Sequence, residues 1–138
     1  MPVAPMLKIG LYFKTMTYRS KKEIEFARRL ALEGLVFEIN ARDLPGTPDI
    51  VFREEKFAVF FHGCFWHGHH CTLPSKDYDW QNKISEIKEK DKKVLDELYA
   101  KNFTATIIWD CEFDEDPDKF IRHIVTRLSL SRNLLATS

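Results

Sequence analysis

Apolar residues recur along the chain with two spacings, and the switches between them mark out its elements. Ser20-Lys21-Lys22-Glu23 has the form of a capping box, and Ile24, Ala27, Leu30, Ala31 and Leu35 follow at helical spacing, with Gly34 offering a stop. This predicts a first helix, amphipathic and packed on a sheet. Residues 36–40 alternate as a strand does, and Leu44-Pro45-Gly46-Thr47-Pro48 supplies dense turn chemistry ahead of a second strand, Asp49-Ile50-Val51-Phe52. Arg53-Glu54-Glu55-Lys56 reads as a polar connection into residues 57–61, whose unbroken apolarity predicts a strand buried on both faces.

Residues 72–77 are loop-like and contain Pro74. Asp79 is placed to cap a long helix with a core stripe of Ile84, Ile87, Val94, Leu95 and Leu98, its opposite face dense in Lys and Glu. Residues 103–109 return to β-branched and aromatic side chains and end just short of Cys111. Asp116-Pro117 then opens a last helix with Phe120, Ile121, Ile124, Val125 and Leu128 inward, and the tail 131–138 reads as loosely held. The order is helix, three strands, a Cys/His segment, helix, strand, helix, which predicts an α/β sandwich around a small mixed sheet.

Composition narrows this picture. With 138 residues, 44% hydrophobic and 13% aromatic, the chain has material for one core, so residues 1–138 are expected to form a single domain. The formal net charge is zero, so no global positive field advertises nucleic acid, and phosphate contacts must come from a local patch. The N-terminus has no charged head followed by an apolar core, and the run 57–61 is far too short to span a bilayer. The expectation is a soluble cytoplasmic protein without membrane association.

The chemistry concentrates in His62-Gly63-Cys64-Phe65-Trp66-His67-Gly68-His69-His70-Cys71, which holds four of the chain's five histidines and two of its three cysteines. An odd cysteine count among histidines, without a secretion signal, favours metal ligation over disulfides, with zinc the first candidate. A tetrahedral site needs four N or S donors, and Cys64, Cys71 and one of His67, His69 or His70 can come from this loop. Cys111, just past a predicted strand end, is the natural fourth. Asp49 follows a turn and offers a hard oxygen of the kind magnesium prefers. His62 and His67 can move protons near neutral pH, and Glu25 on the first helix can orient a histidine or a metal-bound water.

Leu44-Pro45-Gly46-Thr47-Pro48-Asp49, the block 60–71, Trp80 and Ile108-Trp109-Asp110-Cys111 together resemble the very short patch repair (Vsr) endonucleases of the restriction-endonuclease-like superfamily. The resemblance runs from about Ser20 to Cys111 and leaves residues 1–19 as a divergent N-terminal arm, unlike the family's DNA-clamping segment. It implies a strand-specific nick beside a T:G mismatch, made with Mg2+ on a fold that also carries a structural Zn2+. It further implies double-stranded DNA as partner, mismatch-repair proteins as possible partners, a monomer, and a nucleoid-associated location on DNA. Asp49 then corresponds to the metal-binding aspartate, His62 and His67 to the active-site histidines, and Glu25 to the helical glutamate. Cys64, His69, Cys71 and Cys111 match the zinc ligands, Phe65 and Trp66 the aromatic wedge, and Trp80 its supporting ring. Phe61 stands where the family has a threonine whose backbone carbonyl helps bind the metal, a role that survives a change of side chain.

Asp49 followed by Glu54-Glu55-Lys56 also matches the superfamily's usual acid then Glu-x-Lys pattern, which would make Glu54 and Lys56 catalytic. The register through Phe60-Phe61-His62 is preferred, because the alternative falls in a polar connection. Two other functions compete: a restriction-type or phage-type nuclease that cuts matched duplex, and a zinc-stabilised DNA-binding module without catalysis.

Overall fold

The structure, a computed structural model, describes residues 21–64, 67–71 and 76–137, with side chains up to Ser131. Ser20 of the capping box, and the expected wedge residues Phe65 and Trp66, lie outside the described residues. Helix α1 spans Lys21–Leu32 and buries Phe26, Ala27, Leu30 and Ala31. It closes with paired bonds, Leu35 N–H to the Leu30 carbonyl and Gly34 N–H to the Ala31 carbonyl. Gly34 sits at φ +80°, the left-handed conformation such a finish requires.

Strands β1 (Glu38–Ile39), β2 (Ile50–Phe52), β3 (Phe57–His62) and β4 (Thr104–Trp109) form one sheet in the order β1-β2-β3-β4. The first two pairings are antiparallel and β3 pairs with β4 in parallel. A parallel pair needs a long crossover, and helix α2 (Tyr78–Ala100) provides it. A short helix α3 (Asp110–Glu115) and a final helix α4 (Pro117–Thr137) follow β4.

Side-chain parity divides the core across the sheet. Ile50, Phe52, Phe57, Val59 and Ile108 pack with α1, Phe113 and α4, whereas Val51, Ala58, Phe60, Ala105 and Ile107 pack with Val94, Leu95 and Leu98 of α2. By the same alternation the next residue of each set, His62 on β3 and Trp109 on β4, faces the α2 layer. No helix among the described residues is long and apolar enough to cross a membrane.

Four details differ from the expectations. β1 is only two residues because Asn40 turns the chain at φ +53°. Asp77, not Asp79, caps α2: its carboxylate accepts from the backbone of Asp79 and Trp80, leaving Asp79 in the first turn, where its charge suits the helix dipole. Helix α3 was not foreseen, six residues being too few to show a period. Helix α4 runs to Thr137, past the expected loose tail, since residues 131–137 contain no Gly or Pro to stop it.

The turn before β2 packs directly beneath α2. A Cβ on Gly46, at φ +73°, would lie 2.4 Å from Val94 Cγ1 and 3.2 Å from the Phe60 ring. Gly46→Ala is therefore expected to destabilise the fold by about 1–3 kcal/mol through overpacking and the unfavourable φ, read as a lower urea midpoint with unchanged slope.

Candidate active site and metal centre

The carboxyl ends of the parallel strands β3 and β4 meet the start of β2 beside α2, and a cleft opens there. Its polar lining is Thr47, Asp49, His62 and His67 together with Lys90, Asp91, Lys93 and Glu97 of α2. Helix α2 thus brings two cations, Lys90 and Lys93, and two acids, Asp91 and Glu97, to this one place. Asp49 is buried, and its Oδ2 accepts a 2.7 Å bond from the Phe61 backbone N–H, which ties the carboxylate to the end of β3.

The two histidines form a stacked pair, ring centroids 3.7 Å apart and planes within 8°. His67 Nδ1 lies 2.6 Å from Asp91 Oδ2. A carboxylate only accepts, so this contact assigns the proton to Nδ1 and leaves Nε2 as the basic nitrogen. His62 is 8% exposed in its side chain, with Nδ1 3.9 Å from the same carboxylate oxygen and without a hydrogen-bond partner among the described residues. Burial, reinforced by the neighbouring His67 and opposed by Asp91, lowers its pKa to about 4, so it is neutral at physiological pH.

His62, His67 and Asp91 are close enough to suggest a shared cation. The stacking argues otherwise: imidazole lone pairs lie in the ring plane, and two parallel planes cannot both contain one ion. The arrangement leaves His67 Nε2 able to take or give a proton.

On the far side of Trp109, Cys64, His69, Cys71 and Cys111 form a second cluster, their donor atoms all within 4.8 Å of one another. His69 presents Nδ1 to the sulfurs, 3.1 Å from Cys71 and 3.5 Å from Cys111, while its Nε2 lies 3.9 Å from Glu112. The Cys111 backbone N–H donates to Cys64 Sγ at 3.4 Å. Desolvation, with the adjoining sulfurs Cys71 and Cys64, pushes the Cys111 thiol up to about 12, and desolvation also raises Cys71. Three sulfurs and one nitrogen at this spacing fit a tetrahedral ion, for which metal–sulfur bonds of about 2.3 Å separate neighbouring sulfurs by about 3.8 Å. Of the three histidines open as ligand on spacing alone, His69 is the one that joins the sulfurs.

Glu25 is not among the residues brought to the cleft. Its side chain is 56% exposed on α1, 3.9 Å from Arg28, and no residue of α1 lines the cleft. Phe26, Ala27, Leu30 and Ala31 take the inward face of the helix, which leaves Glu25 pointing away. Glu54 and Lys56 lie in the hairpin tip between Phe52 and Phe57, at the opposite end of β2 and β3 from Asp49 and His62. Trp80 sits in the first turn of α2 with Lys83 Nζ 5.2 Å above its ring.

A family model described as DNA mismatch endonuclease Vsr matches residues 12–73. Over 106 residues the chain is 33% identical to the DNA mismatch endonuclease Vsr of Escherichia coli (strain K12), a match covering 71% of this chain and 68% of that protein. The chain belongs to the Vsr family of DNA mismatch endonucleases. Two type II nicking enzymes are similar to it as well. V.NmeAIP of Neisseria meningitidis serogroup A is 35% identical over 72% of this chain and 74% of its own length. V.XorIIP of Xanthomonas oryzae pv. oryzae is 40% identical over 59% of this chain, which spans 63% of that relative.

Asp91 and Glu112 are among the polar residues of this Vsr-family site that were not singled out from the sequence. Asp91 had a signal: positions 84, 87, 91, 94 and 98 follow heptad spacing along the buried stripe of α2, and only 91 is charged. Glu112 had none, being one acid among several after β4.

Proposed function

We propose that this Vsr-family chain is a magnesium-dependent endonuclease that nicks one strand of duplex DNA beside a T:G mismatch. It would do so on a restriction-endonuclease-like fold, as a cytoplasmic monomer associated with the nucleoid, within a repair pathway whose other proteins are possible partners. The observation that carries this reading is the convergence of Asp49, the His62–His67 pair and Asp91 in a cleft that also holds Lys90 and Lys93.

Asp49 and the Phe61 carbonyl would hold Mg2+, whose hard-oxygen preference they meet. A strand residue directs its N–H and C=O to the same edge, and the Phe61 N–H already bonds Asp49. When bound, the ion supplies positive charge for the developing phosphorane and the leaving 3′ oxygen. His67 Nε2 takes the proton from the attacking water, with Asp91 holding the tautomer and stabilising the imidazolium that results. His62, neutral and stacked on His67, keeps that ring in place and lines the water's approach. Lys90 and Lys93 are the cations of the cleft that meet the flanking phosphates.

Phe65 and Trp66, supported by Trp80, would enter the stack at the mismatch, where opening costs less than at a well-paired step. Cys64, His69, Cys71 and Cys111 would hold a structural Zn2+ that fastens the loop carrying His67.

The test is a nicking assay on end-labelled duplexes of one sequence, T:G against matched, with and without Mg2+. Nicking of the T:G duplex alone, only with Mg2+, is expected. Equal cutting of both duplexes would move the chain to the restriction-type reading, and binding without any cutting to the non-catalytic module. Glu54→Ala should nick at the wild-type rate in the same assay; loss of nicking with zinc retained would return the catalytic role to the Glu-x-Lys register.

A further inference from the structure

The indole of Trp109 touches both clusters of the site. It stacks on the His69 ring with centroids 4.2 Å apart and planes at 20°. It also meets His62 edge to face at 5.1 Å and 78°, and His67 at 6.1 Å and 74°. Backbone register enforces part of this: His62 and Trp109 are paired residues on β3 and β4, and both face α2. Trp109 also leads directly into Cys111 at the opening turn of α3.

We propose that Trp109 is a positioning residue that couples the Cys64/His69/Cys71/Cys111 centre to the catalytic histidine pair. The proposal rests on the reading of that centre as a metal site. Ligation fixes the plane of the His69 ring, and a stacked indole must follow that plane. His62 and His67 meet the same indole approximately at right angles, so their stack is registered against it. An aromatic contact is worth only about 0.5–1.5 kcal/mol beyond its area. Its kinetic weight is larger, because a displacement of about 1 Å at a reacting group costs roughly a hundredfold in rate.

The experiment compares wild type, Trp109→Phe and Trp109→Leu, each purified with Zn2+ and again with the larger Cd2+. Metal content, nicking kinetics on T:G duplex, and the imidazole 15N resonances are recorded. Trp109→Leu should keep its metal and its KM but lose roughly 10–100-fold in kcat, and Trp109→Phe should recover most of it. In wild type the exchange of Zn2+ for Cd2+ should shift the His62 and His67 resonances as well as those of His69. In Trp109→Leu only His69 should respond. Equal responses in both chains, no His62 or His67 response in wild type, or an unchanged kcat in Trp109→Leu would overturn the coupling. If Trp109→Leu does not fold, Trp109→Met, which also removes the aromatic ring, carries the comparison, and a wild-type response undiminished in that variant overturns the coupling too. Failure of the wild type to hold either ion would instead overturn the metal reading itself.

Discussion

Asp49→Asn is expected to abolish nicking while leaving the fold intact. The substitution keeps the shape of the side chain and an oxygen able to accept the Phe61 N–H, now 2.7 Å from Oδ2, so the end of β3 stays tied to the start of β2. What it removes is the negative charge, and with it the attraction that would hold a hard divalent ion at this end of the cleft. If that ion contributes about 4 kcal/mol of transition-state stabilisation, the rate falls by about 10³-fold. Asp49→Ala should be as inactive and also less stable, because it strands a part-buried N–H at a cost of about 1–3 kcal/mol. Single-turnover nicking of T:G duplex, with thermal melting of the same preparations, separates the two effects. A rate for Asp49→Asn within tenfold of wild type would remove Asp49 from the metal-binding role.

The other large effect is expected at the sulfur cluster. Cys111→Ser should lose its zinc, from about one ion per chain to none, and with it several kcal/mol of stability. The argument is one of chain organisation: Cys111 lies 47 residues beyond Cys64, so an ion held by both cross-links the loop after β3 to the corner after β4. Among the described residues of that loop all are His, Gly or Cys, side chains better suited to ligation than to apolar packing. Without an ion, a thiol raised to about 12 stays protonated and offers its neighbours no charge to organise around. For a domain of this size each kcal/mol moves the melting temperature by roughly 2–8 °C, so a fall of about 10 °C or more is expected. Metal analysis and calorimetry read it. Full zinc content and unchanged melting in Cys111→Ser would show that the cluster does not hold a metal through Cys111.

Much of this arrangement was legible in the sequence, for physical reasons that can be traced residue by residue. The helices α1, α2 and α4 follow from periodicity, because each buries one stripe against a common sheet, and β2 and β3 from their unbroken apolarity, because both of their faces are covered. Cys64 and Cys71 were legible because thiols beside imidazoles have few other uses, and Cys111 because it lies just past a strand end. Glu25 misled because helical spacing identifies the inward stripe well but says little about which outward residue reaches a distant cleft. The Glu54 pattern, set aside in favour of the Phe60-Phe61-His62 register, satisfies a spacing, yet hairpin geometry carries it to the far end of the strands from Asp49 and His62. Lys90 and Lys93 passed as part of a solvated face, and only the position of α2 across the strand ends turns them toward the cleft. Phe65 and Trp66 lie outside the described residues, so their expected part is untouched by the fold.

Asp91 carries a consequence for the history of such a chain. It interrupts a seam of Ile84, Ile87, Val94 and Leu98, where an aliphatic residue would pack better than a carboxylate. A variant with leucine there would gain contacts along α2 and lose the group that orients His67. Selection for heat resistance alone would favour that exchange, and selection for activity would oppose it. The carboxylate in the seam marks where the demands of folding and of chemistry diverge.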